Sequence, residues 1–304
     1  MYRRSFLKSI GIAGTYLSFG AVPAELFLEP EFFKLTILHT NDVHSRIEPF
    51  PMDGSRRQGL GGAAKRAALI ERIRSEESDV LLFDSGDIFQ GTPYFNFFGG
   101  ELEFRLMSEM RYDAATIGNH DFDAGIDGLV KQLPHAKFPF LISNYDFSDT
   151  HMDQRTLPYK VFTFGELKVG VTGVGIELDG LVPKTLYKET RYLEPVEEAT
   201  RAADHLKLKE KCDYVVCLSH LGYKYRHGKV SDIDLAQKSR NIDLILGGHT
   251  HTFLDEPDIR ENREGHPVVI NQVGWGGMKV GRIEVFFEKN RKSHCTTCQG
   301  YWIK

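Results

Sequence analysis

The stretch Leu35-Thr36-Ile37-Leu38 runs directly into His39-Thr40-Asn41-Asp42-Val43-His44. Its first four residues form a short run without strict polar alternation, which is typical of a strand buried on both faces. The residues that follow include the carboxylate and imidazole types that bind metal ions. The stretch therefore predicts a buried strand that delivers polar side chains to a site at its carboxyl end.

The same pattern occurs four more times along the chain. An apolar run leads into polar residues at Val80-Leu81-Leu82-Phe83-Asp84-Ser85-Gly86-Asp87, Ala114-Ala115-Thr116-Ile117-Gly118-Asn119-His120-Asp121, Tyr214-Val215-Val216-Cys217-Leu218-Ser219-His220 and Ile242-Asp243-Leu244-Ile245-Leu246-Gly247-Gly248-His249-Thr250-His251. Amphipathic helical stretches, such as residues 62–75, lie between the runs. Strands alternating with helices indicate an α/β fold, in which sites form at the carboxyl ends of the strands. We therefore predict that the five polar clusters meet in one cleft.

The composition is ordinary for a folded protein. The chain has 304 residues, is 41% hydrophobic and 26% charged, and carries a formal net charge of −4, which gives no sign of a binder of nucleic acid polymers. No apolar run reaches the roughly 18–20 residues that a membrane span needs. Because no low-complexity stretch divides residues 34–289, we predict one catalytic domain there. Within it we expect a β-hairpin around Gly165-Glu166 and closing strands at Pro267–Asn271 and Lys279–Phe287.

The first residues have the features of an export signal. Arg3-Arg4-Ser5-Phe6-Leu7-Lys8 is similar to the twin-arginine signal, and a short apolar stretch leads from it to small residues near Ala24. We predict a signal peptide over residues 1–24, a linker over 25–33 and a C-terminal tail over 290–304. The protein is then expected to be periplasmic or otherwise exported by the twin-arginine pathway, with no membrane anchor after cleavage.

Seven candidate metal ligands lie at the five strand ends. They are Asp42, His44, Asp87, Asn119, His220, His249 and His251. Seven donors of mixed nitrogen and oxygen type are too many for one tetrahedral ion, but they suit two divalent ions bridged by a carboxylate. Such donors without thiolates favour Zn, Mn, Fe or Co over Mg or Ca.

Five motifs together make the sequence resemble a known family. Asn41-Asp42-Val43-His44, Gly86-Asp87-Ile88-Phe89-Gln90-Gly91, Gly118-Asn119-His120-Asp121, Ser219-His220 and Gly248-His249-Thr250-His251 resemble those of calcineurin-like metallophosphoesterases. Leu38-His39-Thr40-Asn41-Asp42, Gln90-Gly91-Thr92-Pro93 and Asn119-His120-Asp121-Phe122-Asp123 look closest to the N-terminal catalytic domain of secreted bacterial 5′-nucleotidases. The resemblance covers roughly residues 35–287. It implies a four-layer α-β-β-α sandwich of two mixed β-sheets flanked by helices.

The resemblance also implies roles for individual residues. One ion would take Asp42, His44, Asp87 and His251, and the other Asp87, Asn119, His220 and His249, with Asp87 bridging. A hydroxide bridging the two ions would attack phosphorus in line with the leaving group. His120 would stabilise the transition state or protonate the leaving alkoxide, and Asp123 would hold its second ring nitrogen and raise its pKa.

Other side chains are predicted on weaker patterns. Arg46 and Asn144 are candidate substrate contacts, the latter because it follows the apolar run Phe140-Leu141-Ile142. His39 is expected to be a core histidine or one that orients a ligand. The aromatic residues Tyr94, Phe95, Phe97 and Phe98 either stack on a nucleobase or pack under a loop. Cys295 and Cys298, near His294, are expected to form a local disulfide or lie in a loose tail rather than bind a metal ion.

The substrate is less well defined by the sequence than the reaction. Secreted 5′-nucleotidases carry a C-terminal domain that clamps the base, and we expect this chain to lack it, since only residues 252–304 follow His251. The favoured function is hydrolysis of phosphomonoesters, 5′-nucleotides first among them. Three alternatives stay open: hydrolysis of a phosphodiester or another oxyanion ester, action with a separately encoded nucleotide-binding domain, and a metal-loaded binding subunit without turnover.

Overall fold

The computed structural model describes residues 32–226, 228–288 and 294–304. The strands of this part are β1 (Phe32–Thr40), β2 (Val80–Asp84), β3 (Ala114–Ala115), β4 (Tyr145–Asp146), β5 (Tyr159–Phe164), β6 (Leu167–Gly175), β7 (Arg191–Tyr192), β8 (Tyr214–His220), β9 (Leu244–Gly247), β10 (Asp258–Glu261), β11 (Pro267–Asn271), β12 (Lys279–Glu288) and β13 (His294–Trp302). The helices are α1 (Ala63–Glu76), α2 (Pro93–Phe98), α3 (Glu101–Glu109), α4 (Gly125–Gln132), α5 (Lys184–Tyr187), α6 (Pro195–Leu208) and α7 (Asp232–Lys238), with short 3₁₀ turns at His120–Phe122 and Leu133–His135.

The long strands form two mixed sheets. The first has the order β13-β12-β1-β2-β3 and the second the order β10-β11-β9-β8-β6-β5, while β4 and β7 pair separately. In the first sheet β1, β2 and β3 are parallel, and in the second β6, β8, β9 and β11 are parallel. The strands β12 and β13 of the first sheet, and β5 and β10 of the second, run antiparallel to their neighbours.

Three hydrophobic cores fix the order of the layers. One joins the facing sides of the sheets, where Ile37 and Phe83 of the first share a cluster with Val171, Val216 and Leu246 of the second. Another packs α1, α3 and α4 on the outer side of the first sheet, and the third packs α6 and α7 on the outer side of the second. The predicted four-layer α-β-β-α sandwich is therefore confirmed.

This arrangement brings the predicted strand ends together. The five predicted runs correspond to β1, β2 and β3 in the first sheet and to β8 and β9 in the second, and within each sheet these strands are parallel. The predicted hairpin is present as β5 and β6. The two closing strands lie in different sheets, because β11 pairs with β9 and β12 pairs with β1. Residues 272–278 therefore cross from the second sheet to the first.

The structure differs from the sequence-based expectation at both ends of the domain and at one internal run. The strand β1 begins at Phe32, inside the expected linker, and the expected tail contains β13, which pairs with β12 along its length. Phe140 and Leu141 make only isolated bridges, so the run at 140–142 is not a regular strand. The predicted signal peptide lies outside the described residues. None of the helices in the described part of the chain combines the length and the hydrophobicity of a membrane span.

Candidate metal centre

The strand ends bring two groups of metal-binding side chains into contact. Asp42, His44 and His251 form one group. Asp87, His220 and His249 form the other. Within each group, one donor atom from every residue lies within 4.8 Å of the others. The oxygen of the Asn119 side chain adds a seventh donor, since Oδ1 lies 2.8 Å from Nδ1 of His249.

Asp87 lies between the two groups. Its Oδ2 is 3.1 Å from Nε2 of His220 and 3.8 Å from Nε2 of His44. The other carboxylate oxygen accepts a hydrogen bond of 2.8 Å from the backbone N–H of His120. Of the seven candidate ligands, Asp87 is therefore the one whose carboxylate is placed to serve both groups, which is the position that the resemblance assigns to a bridge.

Backbone carbonyls set the orientation of two imidazoles. Nδ1 of His220 lies 2.6 Å from the carbonyl of Ser85, and Nδ1 of His44 lies 3.3 Å from that of Phe89. A carbonyl can only accept, so each Nδ1 carries a proton, and each Nε2 is the nitrogen that faces the cluster. Metal-binding histidines in proteins are commonly held in this way.

The candidate ligands also occupy an uncommon backbone conformation. Five of the seven have φ between +50° and +69°, namely Asp42, His44, Asp87, His249 and His251. Residues other than glycine rarely adopt the left-handed region, and each such residue costs of the order of 1 kcal/mol or more. Strain concentrated in this way is characteristic of functional sites, because the surrounding fold must hold the side chains against it.

The electrostatics of the cluster fit bound cations. Burial lowers the pKa of His220, but the adjacent Asp87 outweighs burial and raises it to about 10. Burial lowers the pKa of His249 to about 4 and also lowers that of His44, so these rings are neutral ligands near pH 7. Nε2 of His44 and Nε2 of His251 lie only 3.0 Å apart. Two imidazole nitrogens this close need a proton or a cation between them, and a donor set of this kind fits divalent metal ions.

His120 and Asp123 lie beside the cluster. Nδ1 of His120 is 2.9 Å from Oδ2 of Asp123, and the imidazole of His120 is 5.3 Å from that of His44 between ring centroids. The hydrogen bond that His120 donates to Asp123 is the largest influence on the pKa of His120, which is raised against the opposing effect of burial. The structure thus places this pair at the edge of the metal cluster with Nε2 of His120 unengaged by Asp123.

A cleft of about 230 Å³ opens over the first group of ligands. It is lined by Val43, His44, Arg46, Gln90, Gly91, His120, His251 and Trp275. The guanidinium of Arg46 lies 4.2 Å from the ring centre of Phe50, and its buried Nε has no hydrogen-bond partner in the described structure. Arg46 therefore brings a positive charge to the mouth of the metal centre.

Asn144 does not fit its predicted role as a substrate contact. It is fully buried, its Nδ2 donates to the carbonyl of Gly175, and its Oδ1 accepts from the N–H of Gly175, each at 2.8 Å. Both ends of the amide bond to the backbone at the end of β6, and the buried side chain is closed off from the cleft. Asn144 is a structural residue.

Burial decides two other interpretations and leaves the predicted pairing of Cys295 with Cys298 untested. His39 is a core histidine, fully buried, with Nε2 3.0 Å from Oδ1 of Asn271. Phe95 packs in the core, whereas Phe97 on the same helix is 81% exposed, so the aromatic residues of α2 do not form one stacking surface. Cys298 is a free thiol that packs against the inter-sheet core, whereas the side chain of Cys295 lies outside the described part of the structure.

Two residues that hold the ligand loops were not assigned roles from the sequence. Asp121 is buried, and its carboxylate accepts hydrogen bonds from the backbone N–H groups of Asp87, Ile88, Phe89 and Gly118. Oε1 of Gln272 accepts from the N–H of Thr252 at 2.6 Å and from the hydroxyl of Thr250 at 3.1 Å. Asp121 directly follows His120 in a quoted motif and could have been suspected, but nothing near Gln272 in the sequence marks it.

Comparison with known proteins agrees with this site. A model of the family described as calcineurin-like phosphoesterase matches residues 35–253, which contain all seven candidate ligands together with His120 and Asp123. The chain belongs to the calcineurin-like phosphoesterases. This membership agrees with the two candidate groups of metal-binding side chains described above.

Relatives of this calcineurin-like phosphoesterase include several 5′-nucleotidases. Snake venom 5′-nucleotidase from Naja atra is 35% identical over 281 residues, covering 86% of this chain and 51% of that protein. The 5′-nucleotidase of Homo sapiens is 32% identical, covering 88% and 49%. The crystal structure of a 5′-nucleotidase precursor from Thermus thermophilus has a TM-score of 0.79 at 31% identity, covering 89% and 54%. The chain therefore spans about half the length of these relatives.

Proposed function

We propose that this protein hydrolyses phosphomonoesters, 5′-nucleotides among them, at a centre that holds two divalent metal ions. The observation that carries the proposal is the position of Asp87 between two groups of donors, with the His120–Asp123 pair at their edge. The relatives named 5′-nucleotidases support the choice of substrate class.

The residues of the chain divide the chemistry between them. Asp42, His44, Asp87 and His251 would hold one ion, and Asp87, Asn119, His220 and His249 the other. When bound, the ions would supply Lewis acidity toward the phosphoryl oxygens and activate a water molecule. Asp123 holds Nδ1 of His120, so the proton that His120 can give to the leaving oxygen is the one on Nε2. No covalent nucleophile of the chain is needed.

Two cationic side chains are placed to meet the charge of the substrate. Arg46 lines the cleft beside His44 and His251. Lys229 lies near the second group of ligands, because its Nζ is 5.9 Å from the ring centre of Tyr225 and that ring is 6.5 Å from the ring of His249. Cations in these places would stabilise the negative charge that spreads over the equatorial oxygens in the transition state.

A phosphate-release screen tests the proposal. Protein stripped of metal is reloaded with Mn, Zn, Fe or Co and assayed on nucleotides, sugar phosphates, p-nitrophenyl phosphate and diesters, with His120→Ala as the control. We expect release from monoesters that depends on His120. Faster cleavage of diesters would favour the alternative activity. No release from any ester by metal-loaded protein, with the His120→Ala variant behaving identically, would instead favour a binding subunit.

We also propose that the protein is exported by the twin-arginine pathway, on the motif Arg3-Arg4-Ser5-Phe6-Leu7-Lys8. Export after folding would let the protein acquire its metal ions in the cytoplasm, where competition among metals differs. Replacing Arg3 and Arg4 by lysine should leave the precursor in the cytoplasm, as measured by fractionation of expressing cells. Normal export of the double variant would reject the proposal.

A further inference from the structure

The least protected of the candidate ligands is His251. Its side chain is 40% exposed, whereas that of Asp42 is fully buried and that of His44 is 10% exposed. Its φ of +52° places it in the left-handed region. Unlike His44 and His220, whose Nδ1 atoms bond to backbone carbonyls, His251 has no hydrogen-bond partner at Nδ1 within the described residues. The orientation of its ring is therefore not fixed by a hydrogen bond at Nδ1, and another contact must fix it on that side.

Trp275 covers one face of that ring. The indole and the imidazole are nearly parallel, with centroids 5.5 Å apart and an angle of 14° between their planes. The indole is fixed in turn by the edge-to-face contact of Phe50, at 5.4 Å and 87°, and by the guanidinium of Arg57, 5.0 Å from the ring centre. Contacts of these kinds orient an aromatic ring in addition to burying its surface.

The backbone that carries Trp275 is tied to the first ligand of the same group. The N–H of Gly276 donates to the carbonyl of Asp42 at 2.7 Å. The side chain of Asn41 donates to the carbonyl of Gly274 at 2.6 Å and accepts from the N–H of Val273 at 3.0 Å. The residues on both sides of Trp275 are therefore fixed relative to Asp42.

Trp275 also lies where the two sheets are connected. Asp42 and His44 follow β1 of the first sheet, whereas His251 follows β9 of the second. Residues 272–278 join β11 of the second sheet to β12 of the first. The side chain of Trp275 stacks on His251, and the backbone around it binds the Asp42 loop. The crossover therefore sets the distance between ligands that are supplied by different sheets.

We infer that Trp275 is a positioning residue for the first metal ion, which fixes the ring of His251 by stacking so that its Nε2 faces Asp42 and His44. This inference rests on the proposed ligand set. In the structure, Nε2 of His251 lies 3.3 Å from Oδ1 of Asp42 and 3.0 Å from Nε2 of His44. Groups that orient a metal ligand typically change metal affinity by 10–100-fold when they are removed.

The test measures metal binding rather than turnover. Chelator-stripped protein is titrated with Co²⁺ and followed by the absorption of the bound ion, with elemental analysis after dialysis. We expect Trp275→Leu to reduce the affinity for one of the two ions by about 10–100-fold and to leave the affinity for the other unchanged. Trp275→Phe, which can still stack, should restore most of the affinity. Thermal unfolding of the metal-free variants checks that they fold.

Two further variants separate the inference from the proposed function. Trp302→Leu is the matched control, because Trp302 also stacks on an aromatic ring, that of Phe253, at 5.3 Å and 19°, but that ring binds no metal. Equal losses for Trp302→Leu and Trp275→Leu would overturn the inference. The inference would also be overturned if Trp275→Leu kept full affinity for both metal ions while His251→Ala lost one of them. Full affinity for both ions in His251→Ala would instead reject the ligand set on which the proposed function depends.

Discussion

The residues of the candidate metal centre differ in how many other candidate ligands they contact. Asp87 contacts donors of both groups and the backbone of His120, whereas His44 belongs to one group. Sequence reasoning could name these side chains as candidate ligands because metal chemistry restricts the side chains that can serve, and the structure brings six of them together in two groups. It misassigned Asn144, since a polar residue after an apolar run can equally satisfy a backbone, as this one does for Gly175.

We predict that Asp87→Asn reduces activity more than His44→Ala. On the proposed ligand set, removal of the shared carboxylate would weaken the binding of both ions, whereas loss of one imidazole would weaken the binding of one. Even indirect changes around a metal ion cost 10–100-fold in affinity. The loss in kcat/KM for Asp87→Asn should therefore exceed about 100-fold. Steady-state assays and the metal content of both variants check this. Equal losses in activity and metal would contradict the shared position of Asp87.

We predict that Asp123→Asn moves the alkaline limb of the kcat profile to lower pH. Asp123 raises the pKa of His120, so the acid form that can donate a proton persists to higher pH in its presence and is lost as pH rises through that pKa. His120→Ala should lower kcat by about 10²–10⁴-fold while both ions stay bound. The control is Asp127→Asn on α4, an exposed acid paired with Lys188. If the alkaline limb of the kcat profile does not shift in Asp123→Asn, the proposed role of Asp123 in raising the pKa of His120 is wrong.

Elements of the fold contribute in ways that local sequence does not reveal. The segment 294–302 has few large apolar residues, yet it forms an edge strand because β12 offers it a free edge along nine residue pairs. The next residue, Ile303, is 2% exposed, and its carbonyl accepts a hydrogen bond from the N–H of Gly61 before α1. The end of the chain as given is therefore part of the folded domain.

We predict that Ile303→Ala lowers the free energy of unfolding by about 2–5 kcal/mol, the usual cost of truncating a buried isoleucine. Thr297→Ala, at an exposed position of β13, should change it by less than about 0.5 kcal/mol. Denaturant unfolding of the two variants makes the comparison. A negligible effect of Ile303→Ala would mean that this segment does not pack as the structure shows.

At the scale of the whole molecule, the site exists because two sheets meet at one edge. The ligands come from the ends of strands in both sheets, and the crossover at residues 272–278 fixes them relative to each other. Buried carboxylates and imidazoles with strained backbones make this edge a costly part of the fold. Bound cations would offset that cost.

We predict that chelation lowers the melting temperature and that Mn or Zn restores it. A ligand that binds only the folded state at 100 times its Kd contributes about 2.7 kcal/mol. Differential scanning calorimetry with and without chelator measures the change. Asp87→Asn serves as the control, and its melting temperature should respond less. A chelator-independent melting temperature in the unsubstituted chain would contradict metal binding at this site.

The sequence by itself determined the α/β class, the strand ends and the donor types, because apolar periodicity and metal chemistry are both local properties of short stretches. Only the tertiary structure decided which donors meet, since His44 and His251 are 207 residues apart and touch through the packing of two sheets. The same holds for Asp121, Gln272 and Trp275, whose roles are contacts with distant backbone or rings. Such contacts depend on how layers pack, and no spacing along the chain encodes them.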